Sequence, residues 1–370
     1  MTKLSFQCIT IHFLQKAVSL YREKLEWSCS YEKKLEVWAR MEVIPMNQIR
    51  YSGGVMYKSA IALKLAVVII LTKLSFQCIT IHFLQKAVSL YREKLEWSCS
   101  YEKKLEVWAR MEVIPMNQIR YSGGVMYKSA IALKLAPVLQ QPAIYIATEL
   151  AKYCREIVNT EEKKDVVNFQ VEVISSGMIY LKLTDLTIAN WLSYLTSFPL
   201  KDDKQKFQVS VKHKSPQTIN LFPIQYSHAR CCSLLCMGER DGIITLAPII
   251  PENYSQFWFI PTSESIPWQK SNGELQFLHD AEYELIAEIV STLDYIYCIS
   301  TTKKAINWVK VANSLSSAFQ TFYGQCRIWG EVKVKTPKLA QARLGLVLVT
   351  QSLLRFLLEE KLGTKALLEL

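Results

Sequence analysis

Residues 308–362 read WVKVANSLSSAFQTFYGQCRIWGEVKVKTPKLAQARLGLVLVTQSLLRFLLEEKL, and the reading of this stretch decides the fold. Trp308, Ala312, Leu315, Phe319, Phe322, Tyr323 and Cys326 recur at intervals of three and four, the 3.6-residue period of an amphipathic helix. Lys310, Asn313, Ser317 and Gln320 fall on the opposite side. After a short turn, Thr336 and Pro337 suit an N-cap and first-turn position. From Leu339 to Leu358 the chain is apolar almost all round, so this helix must be buried. Lys361 and Gly363 supply the stop. Two such helices are stable only when packed together, which predicts a helical bundle.

The residues on these helices resemble a known family. FQTFYGQCRIW, followed by QARLGLVLVTQSLLRFLLEEKLG, is similar to the C-terminal helices of the DALR anticodon-binding domain of arginyl-tRNA synthetase. The similarity rests on aromatic residues before a Cys-Arg-apolar step, then Ala-Arg-Leu opening a long helix: Phe319, Phe322, Tyr323, Cys326, Arg327, Ala342, Arg343 and Leu344. Upstream, IQYSHARCCSLL resembles the tyrosine-bearing helix that begins the same domain, with Tyr226, His228, Ala229, Arg230 and Ser233 on matching positions.

Working outward, Thr2–Ala66 is repeated letter for letter as Thr72–Ala136, with Val67–Leu71 between the copies. A solenoid is excluded, because solenoid repeats diverge and come in threes or more. Perfect identity marks either a recent tandem duplication or one introduced in assembling the sequence. The second copy runs on into a helix that starts near Pro142 and carries Ile144, Ala147, Leu150, Ala151 and Cys154 along one face. Val166–Ile174 and Met178–Leu183 alternate as half-buried strands around a turn at Ser175, Ser176 and Gly177, and Trp191, Leu192 and Leu195 predict a closing helix. The isolated pairs Gly53-Gly54 and Gly123-Gly124 read as turns, not phosphate loops.

This region resembles the N-terminal additional domain of the same synthetase, through Ser129, Ala132, Leu135 and Ala136, then Ile146, Ala147, Leu150 and Ala151, then Gly177, Ile179 and Leu181. Where that family has an aromatic residue and an asparagine after the glycine, this chain has Met178 and Tyr180. The expected organisation is therefore a duplicate half-domain at 2–66, an α+β domain at 72–198, a lysine-rich linker at 199–223, and an all-α helical bundle of the DALR type at 224–370. Prolines at 248, 251, 261 and 267 among Phe257, Trp258, Phe259 and Trp268 mark 238–273 as an insertion of loops with one short hairpin. Its aromatics are expected to pack on the bundle.

The net charge of +11 suits a polyanion such as RNA, although each copy of the repeat holds ten Lys or Arg against five Asp or Glu, so the excess falls to +6 when only one is counted. The ten cysteines fit reduced thiols in a cytoplasmic protein. Cys231, Cys232 and Cys236 beside His228 invite a zinc reading, but structural zinc ligands usually come in two separated pairs, so no metal is expected. No run reaches the roughly 18 consecutive apolar residues that a membrane span needs, which gives no membrane partner.

The resemblance implies recognition of tRNA, within that family tRNA-Arg. Unstacked loop bases lie on aromatic faces while Arg or Lys meets phosphates. The expected RNA-binding residues are Tyr226, Arg230, Tyr323, Arg327 and Arg343 in the bundle, with Gly177 and Tyr180 in the N-terminal domain. In that family ATP is handled by a class I catalytic domain with His-Ile-Gly-His and Lys-Met-Ser-Lys-Ser motifs, both absent from this chain. A nucleotide-binding sheet needs repeated units of about 30 residues each, more than the stretch between Leu195 and Tyr226 holds. The expectation is thus a tRNA-binding protein with no catalytic residues and no cofactor. The alternatives are an interaction module for an aminoacyl-tRNA synthetase, and third, an arginine-tRNA ligase.

Overall fold

The structure, a computed structural model, describes residues 47–51, 54–58, 75–95, 114–121, 124–160, 168–197, 220–248, 258–261, 265–297 and 306–370. Most of the first repeat copy, Gly53, Gly123, Phe257, Pro251 and linker residues 199–219 lie outside them. The chain divides into two compact units: residues 1–117, 129–157 and 172–179, and residues 118–128, 158–171 and 180–370.

The first unit contains the hairpin strands β1 (Asn47–Tyr51) and β2 (Gly54–Lys58), then helices α1 (Phe76–Leu95), α2 (Ile131–Leu139) and most of α3 (Ala143–Thr160). Helix α1 buries Phe76, Leu84, Ala87, Val88 and Tyr91 along one stripe, and the Tyr91 hydroxyl donates to Gln141 Oε1 at 2.9 Å. The apolar face of α3 is Ile146, Ala147, Leu150, Ala151, Cys154 and Ile157. Ile144, expected on that face, is instead exposed. It sits in the first turn beyond the edge of the stripe, and Ile146 takes the inward place.

The second unit holds most of a four-stranded sheet in the order β3-β4-β6-β5, formed by β3 (Met116–Tyr121), β4 (Gly124–Ser129), β5 (Phe169–Val173) and β6 (Ile179–Leu183). Strand β6 buries Ile179, Leu181 and Leu183 in strict alternation, the period-2 pattern of a half-buried strand. Thr184 then caps α4 (Asp185–Ser197), and Thr187 Oγ1 both accepts from the Asn168 amide at 2.7 Å and donates to its carbonyl at 3.0 Å. As expected, Trp191, Leu192 and Leu195 face inward.

The bundle follows, with α5 (Phe222–Arg240), α6 (Asp280–Tyr297), α7 (Trp308–Gln325), the short α8 (Glu331–Lys335) and α9 (Pro337–Phe356). Asn307 Oδ1 caps α7 by accepting from the Lys310 amide at 3.0 Å. Thr336 does not cap α9 with its side chain, because its hydroxyl donates back to the Val332 carbonyl at 3.2 Å. Helix α9 is buried from Leu339 to Phe356 except Gln341 and Ser352, and its last turn widens into a π-turn at Leu357–Lys361 before Gly363, whose φ of 64° ends the helix. Among the described residues Pro337–Lys361 is the one segment long and apolar enough to cross a membrane, but 89% of its most apolar stretch is inside the molecule. It is the core of the bundle, in contact with α4, α5, α6 and α7.

Of the insertion's aromatics, Trp268 packs on the bundle and is buried. Ile266 and Trp268 lie against Gly345 of α9 so tightly that a Cβ there would come within 2.4 Å of the indole, and only glycine admits them. The Ile260 amide donates to the Thr196 carbonyl at 2.9 Å and the Leu275 amide, two residues past the insertion, to Asp185 Oδ2 at 3.2 Å, so the insertion and the residues that follow it hold both ends of α4. Its short hairpin pairs β7 (Ala247–Pro248) with β8 (Trp258–Phe259). An α+β region followed by an all-α bundle is the architecture expected from sequence.

Candidate nucleic-acid interface

Helix α5 meets α7 along a polar seam. Ser227 and Ser316 hydroxyls lie 2.6 Å apart, Ser316 Oγ donates to the Pro223 carbonyl at 2.8 Å, and Gln320 Nε2 donates to Ser227 Oγ at 3.1 Å. These bonds fix the register of the two helices and leave the adjoining turns of α5 facing water. Phe222, Tyr226 and Arg230 follow at intervals of four, one above the other. Phe222 is 61% and Tyr226 44% exposed, and their rings stack with centroids 6.2 Å apart. One turn on, the Arg230 guanidinium lies 4.7 Å from the Tyr323 ring centroid and donates to its hydroxyl. Tyr323 in turn stacks on Phe319 at 6.2 Å. The result is a wall of aromatic faces and one half-buried guanidinium, whose Nε has no hydrogen-bond partner among the described residues.

Tyr226 and Arg230 lie one turn apart on α5, and Arg230 meets Tyr323 of α7. Phe222 was missed, although its signal, an aromatic one turn before Tyr226 at a helix start, was visible. Arg327 is exposed just past α7 and close in sequence to Tyr323. Arg343 is a correction. It is 7% exposed, its Nε donates to Glu282 Oε1 at 2.6 Å, and Nη1 donates to the Arg327 carbonyl. Glu282 is fully buried and its other oxygen accepts from the Leu278 and His279 amides at 2.7 Å each, capping α6. With no free face, the Arg343 guanidinium ties α9 to the start of α6.

Gly177 is also a packing residue. Its φ is 82°, and a Cβ would stand 2.8 Å from that of Ala143, so the β5–β6 turn passes the first turn of α3 only with glycine there. Tyr180 is half-buried on the less covered face of β6.

Behind the wall, α5 turns His228 inward. Its Nδ1 donates to the Leu367 carbonyl at 2.7 Å, and Nε2 lies 3.0 Å from Gln351 Nε2, an arrangement that makes Nε2 the acceptor and the ring neutral. Burial pushes its pKa down to about 4, only partly offset by the Leu367 carbonyl. Gln225 clamps the same tail from both sides, donating to the Lys365 carbonyl at 2.8 Å and accepting from the Leu367 amide at 2.9 Å. Burial also drives the Cys232 thiol up to about 12 and the Cys231 thiol well above its ordinary value, so both are inert protonated thiols. At the far end of α5, Asp241 accepts from Trp329 Nε1 at 2.9 Å and Lys333 Nζ at 3.2 Å, which lower its pKa.

Residues 224–369 match the DALR anticodon binding domain, two-fifths of the chain. Among curated relatives the chain is similar to arginine–tRNA ligases of Synechococcus sp. (strain JA-3-3Ab), 26% identical over 143 residues, of Moorella thermoacetica, 27% over 158 residues, and of Pelodictyon phaeoclathratiforme, 30% over 162 residues. These matches take in 39%, 42% and 42% of this chain but only 21%, 24% and 24% of those proteins. No solved structure matches.

Proposed function

We propose that this chain binds tRNA, tRNA-Arg by the character of its relatives, through the α5–α7 wall, and that it has no aminoacylation centre of its own. The observation that carries the reading is the exposed Phe222–Tyr226 stack continuing into the Arg230–Tyr323 pair. Every base has a π-face, so exposed rings hold unstacked loop bases, and the guanidinium adds charge for a neighbouring phosphate. Arg327 extends the basic edge, and the net charge of +11 draws in the polyanion. The absence of catalysis is supported by the missing His-Ile-Gly-His and Lys-Met-Ser-Lys-Ser motifs and by the 22 residues between α4 and Asn220, too few for a nucleotide-binding domain of several units of about 30 residues. The same reading puts the protein in the cytoplasm, uses no cofactor, and removes Arg343 and Gly177 from the contact set.

The test is fluorescence anisotropy with tRNA-Arg and an unrelated folded RNA of equal length in about 0.15 M salt. A clear preference for the tRNA is expected, with no ATP–pyrophosphate exchange by the purified chain. Equal affinity for the two RNAs sinks the tRNA reading and leaves a protein partner, such as a synthetase, as the occupant of the wall.

A further inference from the structure

The polar seam between α5 and α7 reaches the surface at Gln320, and its hydrogen bonds run in one direction. Ser316 Oγ donates its single hydrogen to the Pro223 carbonyl at 2.8 Å, so across the 2.6 Å contact Ser227 Oγ is the donor and Ser316 Oγ the acceptor. Ser227 then has no hydrogen left, and the group that faces it from Gln320 at 3.1 Å is the amide NH2. With the amide turned round, three contacts would share only two hydroxyl hydrogens. Both serines are buried, where a contact without its hydrogen is costly. The orientation of the Gln320 amide is thus set from inside the bundle, which leaves its oxygen for a group outside the seam. Gln320 is exposed, and no donor among the described residues meets its Oε1.

The place of this oxygen suits the reading of a base. Ser227, which holds Gln320, directly follows Tyr226 and precedes Arg230 by three residues. Gln320 itself stands one turn before Tyr323 on the exposed edge of α7. The rings around it accept any base, because every base has a π-face. A pre-oriented carbonyl does not. It accepts from an exocyclic amine and repels another carbonyl, and cytosine and uracil differ on this edge by an N4 amine in one and an O4 carbonyl in the other. We propose that Gln320 is the specificity-determining residue of the wall, selecting an unstacked base that carries an exocyclic amine, as cytosine does, over uracil. The inference rests on the proposed RNA binding and adds to it the chemical class of base. One neutral hydrogen bond corresponds to a preference of about 3–10-fold.

The test is fluorescence anisotropy of the full chain with labelled oligo(C) and oligo(U) of equal length in about 0.15 M salt, for wild type, Gln320→Met and Tyr226→Ala. Wild type is expected to bind oligo(C) about 3–10-fold more tightly than oligo(U). Gln320→Met keeps the length of the side chain and removes its carbonyl, and is expected to bring the ratio to about one, chiefly by weakening oligo(C). Tyr226→Ala is expected to weaken both strands and keep the ratio, since a ring stacks on either base. A ratio that survives Gln320→Met overturns the role of Gln320, and so does a wild type that binds both strands equally while Tyr226→Ala weakens both; either result leaves the RNA-binding proposal in place. A wild type that binds neither strand sinks that proposal and this inference with it.

Discussion

Helices α5 and α9 are nearly equal in length, 19 and 20 residues, and each brings one arginine from a family-like motif to the bundle, yet the two arginines have opposite fates. Arg230 of α5 stays half-buried on the outer wall, over the Tyr323 ring. Arg343 of α9 is covered by α6 and meets the fully buried Glu282. The difference shows that a matching motif residue marks a place in the bundle and not by itself a contact with RNA. What decides is coverage: among the described residues α5 keeps one side exposed at Phe222 and Tyr226, whereas α9 is in contact with five helices.

The strongest way to break that contrast is at Glu282. Glu282→Ala leaves the Arg343 guanidinium buried without its partner and the start of α6 uncapped, so urea melts are expected to show a loss of about 3–5 kcal/mol. RNA affinity of the folded fraction is expected to hold. If Arg343→Ala weakened RNA binding while leaving stability intact, the burial assignment would be wrong and Arg343 would belong to the wall.

Acid is the next lever, because His228 faces inward from the helix that carries the wall. Its folded pKa of about 4 lies below the ordinary 6.5, so the unfolded chain binds the extra proton between those values. Stability is complete above about pH 6.5, falls by about 3 kcal/mol as pH drops toward 4, and levels off below that. Melts across this range in wild type and His228→Gln check it. The variant is expected to lose most of the slope; an unchanged slope would place the acid sensitivity elsewhere, since Cys232, Gln351, Arg355 and the Leu367 carbonyl are the groups around the ring.

On the wall the effects are smaller and confined to binding. Tyr226→Ala is expected to weaken RNA binding by about 1–3 kcal/mol at every salt concentration, with an unchanged melt, since its ring is 44% exposed. Arg230→Ala is expected to change the slope of log affinity against log salt by about one unit or less. A loss of cooperative unfolding in either variant would mean that the wall is structural after all.

Much of this could be read before any coordinates. The period of the 308–326 segment predicted the inward row of Ala312, Leu315, Phe319 and Phe322, the all-round apolarity of 339–358 predicted burial, and Gly177 predicted the β5–β6 turn. Such features follow from local geometry, since side-chain spacing fixes which residues share a face. Ile144 and the hydroxyl of Thr336 went otherwise because element ends have weaker periodic constraint than their middles.

What the sequence by itself determined about this protein is the helices at 143–160, 185–197, 222–240, 308–325 and 337–356, the β5–β6 turn, most of their inward faces and the α+β-then-bundle order, but not the helices at 76–95 and 280–297 or the strands before residue 130. Tertiary structure alone decided that Arg230 pairs with Tyr323, 93 residues away, and Arg343 with Glu282, 61 residues away in the other direction. The physical reason is that an arginine has the same local chemistry whether it lies beneath a carboxylate or beside an open ring. Which of the two it meets depends on the neighbouring helix, and that neighbour comes from a distant part of the chain.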